Sequence, residues 1–162
     1  AKTFIYALVY GAGDAKIGSV AGGGLKKGKQ LKQTFFNNLP SLKSLKDKVQ
    51  KASERGFLKG LDGRKIYVRS QHAALNTLLQ GAGAIVMKKA MCILQERINL
   101  NTFDAKFVAN IHDEWQIQVT ESQADCVGRL GVESIEQASN YFNMRCPLTG
   151  EYKIGDNWYE TH

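Results

Sequence analysis

Residues 105–120, AKFVANIHDEWQIQVT, constrain the fold more than any other stretch of the chain. Phe107-Val108-Ala109-Asn110-Ile111 and the alternating Trp115-Gln116-Ile117-Gln118-Val119 read as two β-strands. Between them stand His112-Asp113-Glu114, three polar residues with no Gly or Pro. The pattern predicts a tight antiparallel hairpin with a carboxylate pair at or near its tip. Crowded carboxylates repel each other and resist desolvation, so such a pair usually has a cation nearby. A metal site is the expectation; a surface carboxylate pair without metal is the plainer alternative. Adjacent residues on an extended strand point to opposite faces, so one carboxylate is expected to bind directly. The short side chain of Asp113 makes it the expected metal ligand, with Glu114 supporting from outside. His112 either orients one of them or packs.

Around this hairpin the pattern is mostly helical. Residues 1–10 read as an apolar helix, and Asp14 as the cap of a short helix running to Gly22-Gly23-Gly24. A Lys-rich helix is predicted over about 25–38, and Pro40 marks a break. Ser41 to Arg55 forms an amphipathic helix with Leu42, Leu45 and Val49 on its apolar face and Lys43, Lys46, Lys48 and Lys51 on its polar one. Gly56 is expected to end it. Asp62-Gly63 predicts a turn between short strands at 57–60 and 65–68. A long helix is predicted over about 73–98 and another over 122–142, with an irregular or strand-like tail from Arg145 to Trp158. Helices first, then mixed helix and strand, is an α+β order: a helical lobe followed by a sheet-containing one.

Charge divides the chain. Residues 1–72 hold 15 Lys+Arg against 4 Asp+Glu, a net of +11, whereas residues 73–162 hold 7 against 11, a net of −4. A basic first half beside an acidic, metal-suggesting second half suits a polyanion such as nucleic acid. Lys-rich helices that are merely solvated explain the composition equally well. No uninterrupted apolar run approaches the roughly 20 residues of a membrane span, so no membrane partner is expected. Cys92, Cys126 and Cys146 are odd in number and widely spaced, which predicts free thiols in a reducing compartment rather than a zinc site. The chain begins with Ala rather than Met and enters a helical pattern directly. We therefore expect a C-terminal portion of something longer.

Two helical stripes carry possible binding chemistry. Lys2, Tyr6 and Tyr10 fall at i, i+4 and i+8, placing an ammonium and two phenols along one helix face. Such a stripe can hold a triphosphate by charge and a sugar or base by ring packing; tyrosines at this spacing are more often simply part of a core. His72, Asn76 and Gln80 repeat the spacing, with Leu75, Leu78 and Leu79 expected on the buried side. Side-chain donors facing away from the core can reach minor-groove acceptors, which every base pair offers. Capping and solvated amides are the plainer reading.

These stripes and the hairpin carry a resemblance. Lys2-xxx-Tyr6-xxx-Tyr10-Gly11 resembles the nucleotide-binding helix of family A DNA polymerases. His72-xxx-Asn76-xxx-Gln80-Gly81 is similar to their template–primer motif, and Ile111-His112-Asp113-Glu114 to their second palm carboxylate motif. The three occur in the family's order. KTFIYALVYGAGDAKIG, KGLDGRKIYVRSQHAALNTLLQGAGA and the closing GDNWYETH are similar to replicative polymerases of short-tailed bacteriophages, so the resemblance covers essentially the whole chain.

The resemblance implies a fingers portion over 1–56 and a C-terminal palm portion over 57–162. It implies that Lys2 meets the incoming deoxynucleoside triphosphate's phosphates, that Tyr6 lies against its sugar and that Tyr10 stacks at the template position. Tyrosine at position 6, rather than phenylalanine, goes in the family with easier acceptance of dideoxynucleotides. Asn76 and Gln80 are expected on the duplex near the primer end. His72, where many relatives have arginine, and His112 join the DNA-contacting set. Asp113 becomes a ligand of a catalytic magnesium pair with Glu114 beside it, Lys2 completing the catalytic group. The partner aspartate of the clamp belongs to an earlier palm motif that the chain lacks; an arginine just before Lys2, the thumb and the exonuclease domain are missing too. The implied protein is a DNA polymerase segment acting on primer-template in a bacterial cytoplasm, inactive without an upstream or companion segment. The alternatives are a non-catalytic nucleic-acid-binding module that keeps the polymerase shape, and a misfolded or self-associating fragment whose exposed apolar surfaces drive association.

Overall fold

A computed structural model describes residues 2–161. Ala1, which the sequence pattern assigns to the first helix, and the terminal His162 lie outside the described residues. By internal contacts the chain forms two compact units, Ala1–Gly81 and Ala82–His162. The fold is α+β: helices with two small antiparallel hairpins.

The first unit opens with α1 (Lys2–Val9), α2 (Asp14–Val20), α3 (Leu25–Asn38) and α4 (Pro40–Ser53). In α1, Leu8 is buried and the Phe4 ring meets the edge of Phe35 on α3, with centroids 5.5 Å apart. Glycine sets how closely α2 and α3 approach. Gly28 is buried so tightly that an added Cβ would overlap the Asp14 carbonyl oxygen and lie 2.7 Å from the Gly18 nitrogen. Asp14 is the first residue of α2 rather than its cap; Gly13 takes the cap position without a side-chain hydrogen bond. The Asp14 carboxylate instead pairs with Lys32 on α3 at 3.1 Å.

Pro40 starts α4 at a position that tolerates its missing N–H. On this helix the expected division into two faces is imperfect. Leu45 is exposed, and Lys46 lies over the Phe36 ring, 4.9 Å from its centroid. Burial and the nearby Lys32 charge lower the Lys46 ammonium's pKa from its ordinary value. Gly56, at φ +83°, turns the chain out of the helix. The hairpin β1 (Phe57–Lys59) and β2 (Lys65–Tyr67) follows, reversing through Asp62-Gly63 with Gly63 at φ +85°. A 3₁₀ turn at Gln71–Ala73 leads into α5 (Ala74–Leu100). Val49, Leu58, Ala74 and Leu75 form this unit's core, so one cluster ties α4, the hairpin and the start of α5 together.

In the second unit, the later turns of α5 pack Leu94 and Ile98 with Ala105 of β3 (Ala105–Ile111) and Val127 of α6 (Glu121–Tyr141). Arg97 and Glu133 bridge α5 and α6 at 2.6 Å. β4 (Glu114–Val119) pairs antiparallel with β3. Strand β3 starts two residues earlier than the apolar run suggested and carries a bulge. Phe107 faces Ile117 but Ala109 faces Gln116, leaving Val108 unmatched and exposed. Phe107 and Trp115 meet edge to face, centroids 5.9 Å apart. Cys92, Cys126 and Cys146 are free and exposed.

One helix, Gln71–Leu100, is long and apolar enough to cross a membrane by length and composition alone. Asn76, Gln80, Lys88, Lys89 and Gln95 divide it into short apolar runs. Its Ala90, Leu94 and Ile98 are buried in the second unit's clusters.

The tail has no strand. It runs back along α6, with Leu148 N–H donating to Ser139 Oγ at 3.3 Å and Thr149 Oγ1 to Glu136 Oε1 at 3.2 Å. Tyr152 Oη then donates to Asp125 Oδ1 at 2.6 Å. The Tyr152 ring fills the space above Gly128 that any Cβ would occupy. Asn157 caps the closing helix α7 (Trp158–Thr161), accepting from Glu160 N–H at 3.3 Å while Asn157 Nδ2 donates to Glu160 Oε1 at 2.7 Å.

Two consequences for stability follow. Gly28→Ala should destabilise the first unit by about 1–3 kcal/mol, the usual cost of overpacking, whereas Gly13→Ala, with open space around it, should stay within about 0.5 kcal/mol. Thermal melting of the two variants checks this; equal melting temperatures would contradict the close α2–α3 approach. The second consequence concerns acid. The hydrogen bond from Tyr152, with the Arg129 guanidinium on the other oxygen, holds the Asp125 carboxyl below the ordinary aspartate range. That contribution is present above the unfolded value of about 3.9 and is lost as pH falls through the lower folded value. Asp125→Asn should therefore melt slightly earlier than the unsubstituted chain at pH 7, and the gap should close in strong acid.

Candidate functional site

The polar face of α1 is exposed. Tyr6 is 51% and Tyr10 54% accessible, so they are not the core tyrosines that their spacing alone favours. The apolar residues Phe4 and Leu8 take the opposite, packed side. Lys2 Nζ stands 5.8 Å from the Tyr6 ring centroid, and the Tyr6 and Tyr10 centroids are 6.4 Å apart. One ammonium and two phenolic rings thus form a continuous ridge.

The ridge meets the start of α5. Gln80 Nε2 donates to Tyr10 Oη at 3.1 Å across 70 residues of sequence. Gly11, at φ +74°, runs against the backbone of His72: an added Cβ there would lie 2.6 Å from the His72 carbonyl oxygen. Both contacts lie within the first unit. They bring Tyr10, the last residue of the ridge, beside Gln80 and set Gly11 against His72; His72 and Gln80 are exposed. Asn76, between them on the helix, is half-buried rather than solvated, and its Oδ1 is buried without a hydrogen-bond partner. Leu79, expected on the buried side, is instead 42% exposed.

The expected carboxylate motif lies in the second unit. The reversal is tighter than the sequence implied: Ile111 pairs with Glu114, leaving His112-Asp113 as a two-residue tip. His112 takes φ +55°, a left-handed conformation that costs a residue with a Cβ about 1–2 kcal/mol. Hairpins of this length normally use Gly or Asn there. Asp113 is exposed at the tip and not on an extended strand, so the opposite-face argument applies only to Glu114. Glu114 is half-buried as the first residue of β4, and its Oε1 accepts from Gln116 Nε2. Among the described residues no three His, Cys, Asp or Glu side chains gather as a metal ion would need. The donors present therefore do not fit a magnesium pair by themselves.

A surface that the motif reading passed over is the outer side of the β1–β2 hairpin. Arg55 and Lys65 both lie over Phe57, 5.2 and 4.9 Å from its centroid, and Tyr67 is 76% exposed. The signal was present in sequence as Lys and Arg alternating with aromatics between 55 and 69, but only the strand register puts them on one face.

Known proteins resemble this chain along its length. The model of DNA polymerase family A matches residues 1–160. The DNA-directed DNA polymerase of Escherichia phage Phieco32 is 41% identical over 169 residues, covering all of this chain and 28% of that protein. That of Escherichia phage T7 is 40% identical over 184 residues, again covering all of this chain and 26% of its relative. DNA polymerase I of Bacillus caldotenax is 28% identical, covering 99% of this chain and 19% of that protein. Among solved structures, the POL domain of Pol1 from M. smegmatis, in complex with DNA primer-template and dNTP, superposes with a TM-score of 0.76 at 21% identity. That match covers 85% of this chain and 26% of the other, and shows a shared fold. The chain thus spans 28% or less of the length of these curated relatives. With a family model running from residue 1 to residue 160, the chain belongs to DNA polymerase family A.

Proposed function

We propose that this chain is the fingers and C-terminal palm segment of a phage-type DNA-directed DNA polymerase, with residues 1–56 as fingers and 57–162 as palm. The observation that carries the reading is the junction of α1 with the start of α5, where Gly11 abuts the His72 carbonyl and Gln80 bonds Tyr10. It joins a cationic, aromatic ridge to a row of side-chain donors on one exposed surface. Lys2 attracts triphosphate oxygens, Tyr6 packs on the sugar, and Tyr10 offers a ring to a template base. His72, Asn76 and Gln80 supply donors toward the duplex, with His112 as a further DNA contact.

In this reading Asp113 supplies one carboxylate of a magnesium site whose remaining donors lie on a companion or upstream segment, with Glu114 beside it. Magnesium, when bound, polarises phosphoryl oxygens and activates the attacking hydroxyl. The chain's own part is to present Asp113 at the hairpin tip, hold the nucleotide along α1 and align primer with template. The reaction is template-directed addition of deoxynucleotides with release of pyrophosphate, and this segment alone does not perform it.

The solitary Asp113 favours one rival, a non-catalytic nucleic-acid-binding module. Primer extension with magnesium separates the two, using this chain alone and then mixed with a segment that carries the thumb and the first palm aspartate. Extension is expected only in the mixture. There, Asp113→Ala should lower the rate by at least about 10²–10³-fold while changing DNA affinity by less than about twofold. An unaltered rate would remove Asp113 from the chemistry and leave the binding module standing. In the same mixture, Tyr6→Phe should lower dideoxynucleotide use relative to deoxynucleotide use by about tenfold or more, read as a ratio of kcat/KM values. An unchanged ratio would mean that Tyr6 does not face the sugar.

A further inference from the structure

The β1–β2 hairpin is a two-faced ribbon. Its register pairs Phe57 with Tyr67, Leu58 with Ile66 and Lys59 with Lys65. Alternation puts Leu58 and Ile66 on one face, and Leu58 is buried in the first unit's core. Phe57, Tyr67, Lys59 and Lys65 share the other. Two lysines directly opposite each other repel, and a free-standing hairpin gains nothing from the pairing. None of Arg55, Lys59 and Lys65 has an ion-pair partner among the described residues. The nearby Asp62 carboxylate is taken by Arg64 at 2.5 Å. Beside the lysine pair, Arg55 and Lys65 crowd the Phe57 ring, and Tyr67 is 76% exposed with its ring open to solvent. Lys48 of α4 lies near Arg55 and Lys59, the three lining one groove with Val49, Leu58 and Leu78.

We propose that this outer face binds single-stranded nucleic acid, stacking an unpaired base on Tyr67 and holding the adjoining phosphates with Arg55, Lys59 and Lys65. The aromatic pair and the lysine pair are two residues apart along the ribbon, about 7 Å, a span that one nucleotide bridges from base to phosphate. Stacking needs a bare base face, which duplex does not offer along its length; a single strand offers one at every nucleotide. The polyanion also removes the repulsion between Lys59 and Lys65, so binding and hairpin stability reinforce each other. The proposal rests on the polymerase reading for its choice of nucleic acid over other polyanions. It adds a contact surface distinct from the α1–α5 ridge.

The test is fluorescence anisotropy of the full chain with labelled oligodeoxythymidine and with duplex DNA of equal length, across a salt series. Tyr67→Ala, exposed and therefore expected to leave the melting temperature unchanged, should weaken single-strand binding about tenfold and duplex binding by less than about twofold. Tyr67→Phe should restore it. Lys59→Gln with Lys65→Gln should reduce the salt slope for the single strand by about 1.4, the share of two phosphate contacts. Unchanged single-strand affinity in Tyr67→Ala, equal loss on both DNAs, or no single-strand binding by the unsubstituted chain would each overturn the proposal. The polymerase reading fails separately: if the mixture extends no primer while Tyr67→Ala still loses single-strand binding, the hairpin surface stands and the enzyme assignment does not.

Discussion

The approach of Gly11 to the backbone of His72 is the constraint on which the joined surface of α1 and α5 depends. A side chain at Gly11 would collide with a carbonyl oxygen, which belongs to the backbone and cannot rotate aside. Only glycine combines that closeness with the left-handed turn leaving α1. The approach in turn requires the start of α5 to be held in place. Val49, Leu58, Ala74 and Leu75 do this by burying side chains from α4, the β1–β2 hairpin and α5 in one cluster. The Gln80–Tyr10 hydrogen bond is then a consequence: once the backbones meet, an amide two turns into the helix reaches the phenol.

The second unit solves a different problem. Its hairpin carries the Asp113 carboxylate at an exposed tip. Phe107 and Trp115 pack edge to face and, with Ala105, lie against Leu94 and Ile98 of α5 and Val127 of α6. At the tip His112 adopts a left-handed conformation. Strain of this kind persists only where the surroundings over-determine the backbone. It lies beside Asp113, the residue on which the proposed chemistry turns. The tail along α6, tied down by Tyr152 over Gly128 and at Asp125, strengthens the helix that backs this hairpin.

A chain can belong to a polymerase family without carrying a whole active site. The relatives are several times longer, and among the described residues no cluster of donors for a metal is complete. What this segment does hold is concentrated in surfaces: a ridge on α1, donors on α5, a cationic ribbon face and a single exposed carboxylate. The cations of the ridge and of the ribbon face suit an anionic partner, whereas the exposed Asp113 carboxylate calls for a cation.

Much of this was legible in the chain itself. The bounds of α3, the Asp-Gly hairpin and the long helix follow from periodicity and turn chemistry, because hydrophobic spacing and glycine are local signals. The motif residues Lys2, Tyr6, Tyr10, His72, Gln80 and Asp113 were also visible from spacing and order. The exposure of Tyr6 and Tyr10, the half-burial of Asn76, the exposure of Leu79 and the partial burial of Lys46 were not; each depends on what packs against a helix from elsewhere in the chain. The cap of α2 was misread because Asp14 is drawn to Lys32, eighteen residues away. The Val108 bulge has no glycine to announce it, and the tail's course along α6 is set by pairings such as Tyr152 with Asp125. By itself the sequence determined which segments form helices and hairpins and which chemical groups they carry, since those depend on neighbours along the chain. Only the tertiary structure decided which of those groups face solvent together, because burial and close approach are properties of residues far apart in sequence.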